Sequence, residues 1–303
     1  MIASGSHTPG VDLRHIGMPD FVAIRFEQPA SELKALISDY FVMDSEGPLS
    51  LNVTNWMLPT GPTIRLTLTD GPIHYEAEPD VWLQRPTAAF YGPGTKACRV
   101  VTNGGVTIGI TLKAAGAARL GAPDLSTLGD RFVDLSALTG NAACEDLVAT
   151  LRASDMGADA KPILDSFFAK VLARPYRREA AILRLQRALQ DDDTTSVEQL
   201  GDKVGLPRHT LRRLALRHFG FTPRTLLART RFMRSLMGLK QEGAMKGYGA
   251  IDVAYFDTSH FLRDCKRFLG MTAKRFLALD TAYLDIVIRA RTAVLGTGNP
   301  ILD

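Results

Sequence analysis

Cysteine is scarce: the 303 residues hold three, Cys98, Cys144 and Cys265, odd in number and far apart. That pattern excludes a disulfide framework and fits a reducing compartment. No Cys-x-x-Cys or His-x-His spacing occurs among the three cysteines and six histidines. The sequence therefore offers no metal-ligand set and implies neither a metal nor a cofactor. No apolar run approaches the roughly 20 residues that span a bilayer, and the start lacks a charged stretch leading into an apolar one. A cytoplasmic protein with no membrane partner is expected.

What is present is length enough for two domains and an apolar fraction of 46%, ample for a core. The net charge of +4 conceals a division. From Thr194 onward there are 18 Lys+Arg against 9 Asp+Glu, whereas the preceding residues hold 18 against 23. Basic charge gathers on the last third, as binding to a phosphate backbone requires.

The same region is internally repeated. A shift of fifty positions lays Leu211 on Phe261, Arg213 on Arg263, Ala215 on Cys265, Arg217 on Arg267, Gly220 on Gly270 and Thr222 on Thr272. Two copies signal a duplicated supersecondary unit. The first opens on a capping box, Ser196 with Gln199. Val197, Leu200 and Val204 follow on one helical face, and Gly205-Leu206-Pro207 breaks the helix. The next helix, about 208–219, carries a buried stripe of Leu211, Leu214, Ala215 and Phe219. Arg208, His209, Arg212, Arg213 and Arg217 crowd its other surface. Two short helices joined by a tight turn, the second strongly basic, make a DNA-reading helix-turn-helix. In the second copy Asp257 is the expected N-cap and Phe261, Cys265, Phe268 and Leu269 the inward stripe. Thr258, Ser259, His260, Arg263, Lys266 and Arg267 face out.

Gly220-Phe221-Thr222-Pro223, Arg231-Phe232-Met233-Arg234 and the run from Tyr255 to Phe268 resemble the AraC/XylS-type transcription regulators. The resemblance implies two helix-turn-helix units joined by a linker helix, here about 223–240, presenting recognition helices to successive major grooves. It also implies double-stranded DNA and RNA polymerase as partners. By position in the motif, Arg208, His209, Arg212 and Arg213, then Thr258, Ser259, His260 and Arg263, approach bases. Arg217, Lys266 and Arg267 suit phosphates, which fix register without reading sequence. Gly247 and Gly249 fall where the second scaffold helix is expected. An interior Gly costs about 1 kcal/mol relative to Ala, so a looser second unit is expected.

The earlier part reads as short strands from 21 to 112, with helices after it. The strands are expected at 21–26, 36–43, 49–58, 63–69, 73–77, 81–84, 97–102 and 106–112, with Asn103-Gly104 as a hairpin signal. Helices are expected at 114–120, 138–152, 162–173 and 176–190. A further one at 277–294 is expected either to pack on the DNA-binding part or to make a dimer contact. The fold class is α+β: an N-terminal β-barrel or sandwich with flanking helices, then an all-α domain of two helix-turn-helix units. The divisions are a flexible arm at 1–20, a β-rich regulatory or dimerisation domain at 21–190, a linker at 191–195, the DNA-binding domain at 196–295 and a tail at 296–303.

Trp56-Met57-Leu58-Pro59-Thr60-Gly61, Tyr91-Gly92-Pro93-Gly94-Thr95 and the strand 106–112 resemble the regulatory domain of one AraC subgroup, which implies sensing or dimerisation. Trp56, Trp82, Phe90 and Tyr91 are candidate lining for a small-molecule effector pocket, with core packing as their alternative role. Two other functions stay open. One is an enzyme with a catalytic pocket in the barrel, although no clustered His, Asp or Glu set is visible there. The other is an architectural binder indifferent to DNA sequence. The reading is a non-enzymatic regulator.

Overall fold

The computed structural model describes residues 1–68, 71–78, 81–242, 255 and 258–299. Two antiparallel sheets form the first half. The larger runs in the order β1 (Val22–Glu27), β2 (Ile37–Ser45), β9 (Gly105–Leu112), β4 (Thr63–Leu68), β7 (Ala88–Tyr91) and β10 (Phe132–Asp134). The smaller runs β3 (Val53–Met57), β8 (Cys98–Thr102), β5 (His74–Glu78) and β6 (Val81–Gln84). The sheets do not close on one another, so the architecture is a sandwich and not the barrel that was the other expectation.

Alternation decides which residues face which layer. Tyr40, Val42, Ile64, Leu66, Phe90, Ile108 and Ile110 point to one side of the large sheet and join the main core. Helices α1 (Ala114–Arg119), α3 (Asn141–Arg152), α4 (Ala160–Val171) and α5 (Glu179–Gln190) cover them. Their odd-even neighbours Phe41, Met43, Thr63, Arg65, Thr107 and Thr111 point to the small sheet. A bulge between Ile37 and Asp39 switches the faces, so that Ile37 stays with the helices while Asp39 turns inward.

The C-terminal helical half continues the same packing. Helices α6 (Val197–Val204) and α7 (Arg208–Phe219) share the main core through Leu200, Val204, Leu211, Leu214 and Ala215. Helix α8 (Pro223–Glu242) leads to α9 (Thr258–Leu269) and α10 (Ala273–Leu277). They enclose Phe232, Phe261, Phe268 and Phe276 together with Leu58 and Ala97 of the sandwich. Helix α11 (Ala282–Leu295) then turns back. Its Tyr283, Ile286, Ala290 and Val294 pack on Ile24, Phe26 and Phe41.

Several expectations change. The helix expected at 277–294 begins at Ala282 and packs on both halves: Tyr283, Ile286, Ala290 and Val294 lie on the sandwich, while Ile288 joins the cluster of Phe232 and Phe261, and Asp285 pairs with Lys240 of α8 at 2.5 Å. Residues 1–20, expected as an arm, are tied down: Leu13 is fully buried, Gly5 bridges to Arg25, and the Ile2 amide donates to Asp44 at 2.7 Å. Asn103-Gly104 makes its turn with Gly104 at φ 73°, yet the strands it joins enter different sheets, so no hairpin forms. The strand expected at 49–58 starts only at Val53, after a single 3-10 turn at Pro48–Ser50. The helix expected from 138 is two, Ser136–Thr139 (α2) and α3, parted by Gly140 at φ 86°. Strands β7 and β10 were not expected.

Candidate nucleic-acid interface and sandwich cavity

Helix α6 starts as its sequence dictates: the Ser196 hydroxyl accepts from the Gln199 amide at 3.1 Å, and the Gln199 side chain accepts from the Ser196 amide at 3.1 Å. Gly205, left-handed at φ 68°, ends it. Helix α7 has no side-chain cap at Pro207. With Leu211, Leu214 and Ala215 inside, the basic face is left outside: Arg208, His209, Arg212, Arg213 and Arg217 are all exposed. Arg217 inclines toward Asp124, 3.9 Å away, beside the segment against which α7 ends. Gly220 closes α7 at φ 78°, and a Cβ there would overlap Pro93 and come within 3.0 Å of the Leu125 carbonyl. The Gly92-Pro93-Gly94 turn thus acts as a seat for the first unit.

The second unit is less free. Ser259, Arg263, Lys266 and Arg267 are exposed on α9, and Thr258 opens that helix. His260 is half-buried, with its ring edge-on to Tyr255 at 5.2 Å and 3.4 Å from Arg231 Nη2. Arg267 donates to Thr225 Oγ1 at 3.1 Å. Asp264 accepts from Tyr255 Oη at 2.9 Å and faces Arg231 at 3.5 Å, clamping α9 to α8. The expected N-cap Asp257, and Gly247 and Gly249 of the expected scaffold helix, lie outside the described residues. Between the two units α8 has 20 residues, about 30 Å at 1.5 Å per residue.

A cavity of about 160 Å³ lies between the two sheets, with α11 as a further wall. Of the four candidate effector residues only Trp56 lines it. Phe90 is on the opposite face, fully buried in the main core. Trp82 is on β6 under the Arg99 guanidinium. Tyr91 lies behind the cavity, stacked edge-on to Tyr75 and accepting from Arg85 Nε at 2.5 Å.

The residues that the sequence reading missed are charged. Arg65, Arg85, Asp39 and Arg291 all line the cavity. Asp39 is engaged: it pairs with Arg291 and accepts from Ser38 Oγ at 2.8 Å and Thr111 Oγ1 at 2.9 Å. Arg65 has no ion pair among the described residues, and its guanidinium stands 4.6 Å from the Phe41 ring centroid. Burial, and then the like charge of Arg85, bring its pKa down to about 10. Two cations in excess of the acids therefore face a chamber whose other walls are mainly apolar, with polar side chains from Asn55, Thr63, Thr107 and Thr111 among them. The signal that could have found Arg65 was its parity in Thr63–Leu68, where Ile64 and Leu66 claim the other face.

No group of three or more His, Cys, Asp or Glu that could hold a metal occurs among the described residues. Burial pushes the Cys98 and Cys265 thiols up to about 12, which keeps them protonated and inert. No described helix is long and apolar enough to cross a membrane.

No family model and no curated protein matches the chain. Among solved structures it is similar to ToxT from Vibrio cholerae O395, at 14% identity and a TM-score of 0.41, over 75% of this chain and 93% of that one. Unsaturated fatty acid-bound wild-type ToxT from Vibrio cholerae strain SCE256 matches at 12% identity and 0.42, over 75% and 91%. The AraC-like transcriptional activator CuxR matches at 12% identity and 0.27, over 64% and 80%.

Proposed function

We propose that this chain is a sequence-specific DNA-binding transcription regulator of the AraC/XylS type, with α7 and α9 as its recognition helices. The observation that carries the reading is the face of α7: four outward cationic or imidazole side chains, Arg208, His209, Arg212 and Arg213, on a helix whose other face is packed. Arginine is the side chain that most often reads guanine, bidentate in the major groove. The length of α8 suits two grooves one turn apart, about 34 Å. Of the two units the first is the better reader, because His260 and Arg267 of the second are partly engaged inside the protein. Selection from a random duplex library tests this. Arg213→Ala should relax preference at one position, whereas Arg267→Ala should weaken all duplexes alike. A salt slope identical on selected and random DNA would instead indicate sequence-indifferent binding.

The sandwich cavity is the effector site of this reading. Its volume matches the roughly 150 Å³ that admits benzene in an engineered core, and the excess of arginine favours a compact organic anion. Because α11 follows the second unit directly and forms one wall, an occupant acts on the DNA-binding half by favouring one arrangement of α11. Calorimetry with aromatic and short-chain carboxylates, against wild type and Arg65→Met, tests the site.

A further inference from the structure

A second cavity, of about 80 Å³, lies where the sandwich meets the first helix-turn-helix unit. The β9–α1 corner, α5, the end of α7 and the middle of α8 enclose it. Its walls carry two cations from different elements, Lys113 at the corner and Arg229 on α8, and no carboxylate among the described residues. Arg229 is 3% exposed. Its Nε and Nη2 have no hydrogen-bond partner among the described residues, and its guanidinium lies over the Phe221 ring at 4.8 Å. Burial lowers the pKa of Arg229 to about 9, and burial followed by repulsion from Arg291 lowers that of Lys113. His218 lines the same space and, with its pKa pushed by burial to about 4, is neutral near pH 7. It can offer an N–H without adding a third charge. Gln186 contributes an amide whose oxygen is also unpaired, and turning the amide over presents an NH2 at that position.

Lys113 is half-buried and feels Asp39, which is already held by Arg291. The buried Arg229 feels Asp130 without an ion pair to it among the described residues. A buried guanidinium with no paired carboxylate is destabilising unless something supplies the counter-charge. We propose that this junction is an oxyanion site for a phosphate-sized ligand, held between Lys113 and Arg229 and seated against His218 and Gln186. A bound water needs roughly 10–15 Å³ of such space, so the cavity of about 80 Å³ takes about five to eight. That is room for a tetrahedral oxyanion and too little for the ring-bearing effector that the sandwich cavity admits. The guanidinium fork and the amide are directional donors matched to oxygen lone pairs, which favours an oxyanion over a halide. The ligand staples the sandwich to α8, and through α8 to the recognition helix.

The full-length chain is titrated with inorganic phosphate, and with chloride at matched ionic strength, by calorimetry and thermal unfolding. Phosphate should raise the unfolding midpoint in proportion to the logarithm of its concentration, and chloride should not. Arg229→Met and Lys113→Met, altering opposite walls, should each weaken phosphate at least tenfold, while Arg229→Lys retains the response. Without phosphate, Arg229→Met should unfold at or above the wild-type temperature, since an unpaired charge has become an apolar chain. Equal midpoint shifts in phosphate and chloride would overturn the proposal. So would wild-type affinity in both methionine variants, or a lower phosphate-free midpoint for Arg229→Met, which would mean that the chain already supplies the counter-charge. None of these outcomes bears on duplex selection by α7 or on carboxylate binding in the sandwich, which are read separately.

Discussion

Asp39→Asn isolates the buried pair that fastens α11 to the large sheet. Both side chains are almost sealed, Arg291 at 3% exposure and Asp39 at 1%. Arg291 also donates to Ser38 Oγ at 3.0 Å. The asparagine keeps the shape and leaves the guanidinium buried without its counter-charge, which costs about 3–5 kcal/mol. Domains are stable by only about 5–15 kcal/mol, so the loss should be plain in urea unfolding followed by the fluorescence of Trp56, which packs edge-on to Phe276. Arg291→Met should cost a similar amount by stranding the carboxylate, although Ser38 and Thr111 still donate to it. The two changes together should be far less than additive, with a coupling of roughly 2–3 kcal/mol. Hydrogen exchange then locates the effect. Amides of 282–295 should open roughly a hundredfold to a few thousandfold more readily in Asp39→Asn, at about 1.4 kcal/mol per tenfold. Additive single changes, or an α11 whose exchange is unaltered, would refute the view that this pair holds the helix down.

Gly109→Ala should destabilise by about 1–3 kcal/mol and abolish the carboxylate binding proposed for the sandwich, because the added methyl would overlap the Phe41 ring and come within 2.7 Å of Arg65 Nη1; thermal unfolding and calorimetry read both. Ser196→Ala removes the oxygen that caps α6 and should cost about 1 kcal/mol in urea unfolding. His218 is held by burial from its ordinary 6.5 down to about 4, so between those values the unfolded chain binds a proton that the folded one refuses. Its contribution is complete above pH 6.5 and fades as pH falls toward 4, at about 1.4 kcal/mol per unit. His218→Gln should flatten the stability profile over that window, and profiles that stay parallel would count against a buried neutral imidazole.

Local rules were legible where a single element decides them. The capping box at Ser196, the stop at Gly205 and the inward stripe of α7 follow from hydroxyl, glycine and apolar spacing alone. Asn103-Gly104 shows the limit: the dipeptide dictates a turn with positive φ, but which sheet each strand joins depends on partners roughly 25 to 75 residues away. Trp82 and Phe90 were sought in the pocket because aromatics suit one, whereas strand parity puts Phe90 on the helix side. Arg65 and Arg291 lie far apart in the chain, and only the fold brings both to one chamber. Helix α11 shows helical spacing in its sequence, but nothing there says that its apolar face fits β1.

The return of α11 to the first strand has a practical consequence for anyone splicing this protein. Segments far apart in sequence share one packing here, with Leu13, Phe26 and Val294 in a common cluster. A graft of the last hundred residues onto another protein would carry away a structural wall of the donor and expose a greasy strip on the transplant. Working chimeras should therefore exchange β1, β2 and α11 as a set, or replace that strip with polar residues before the cut is made.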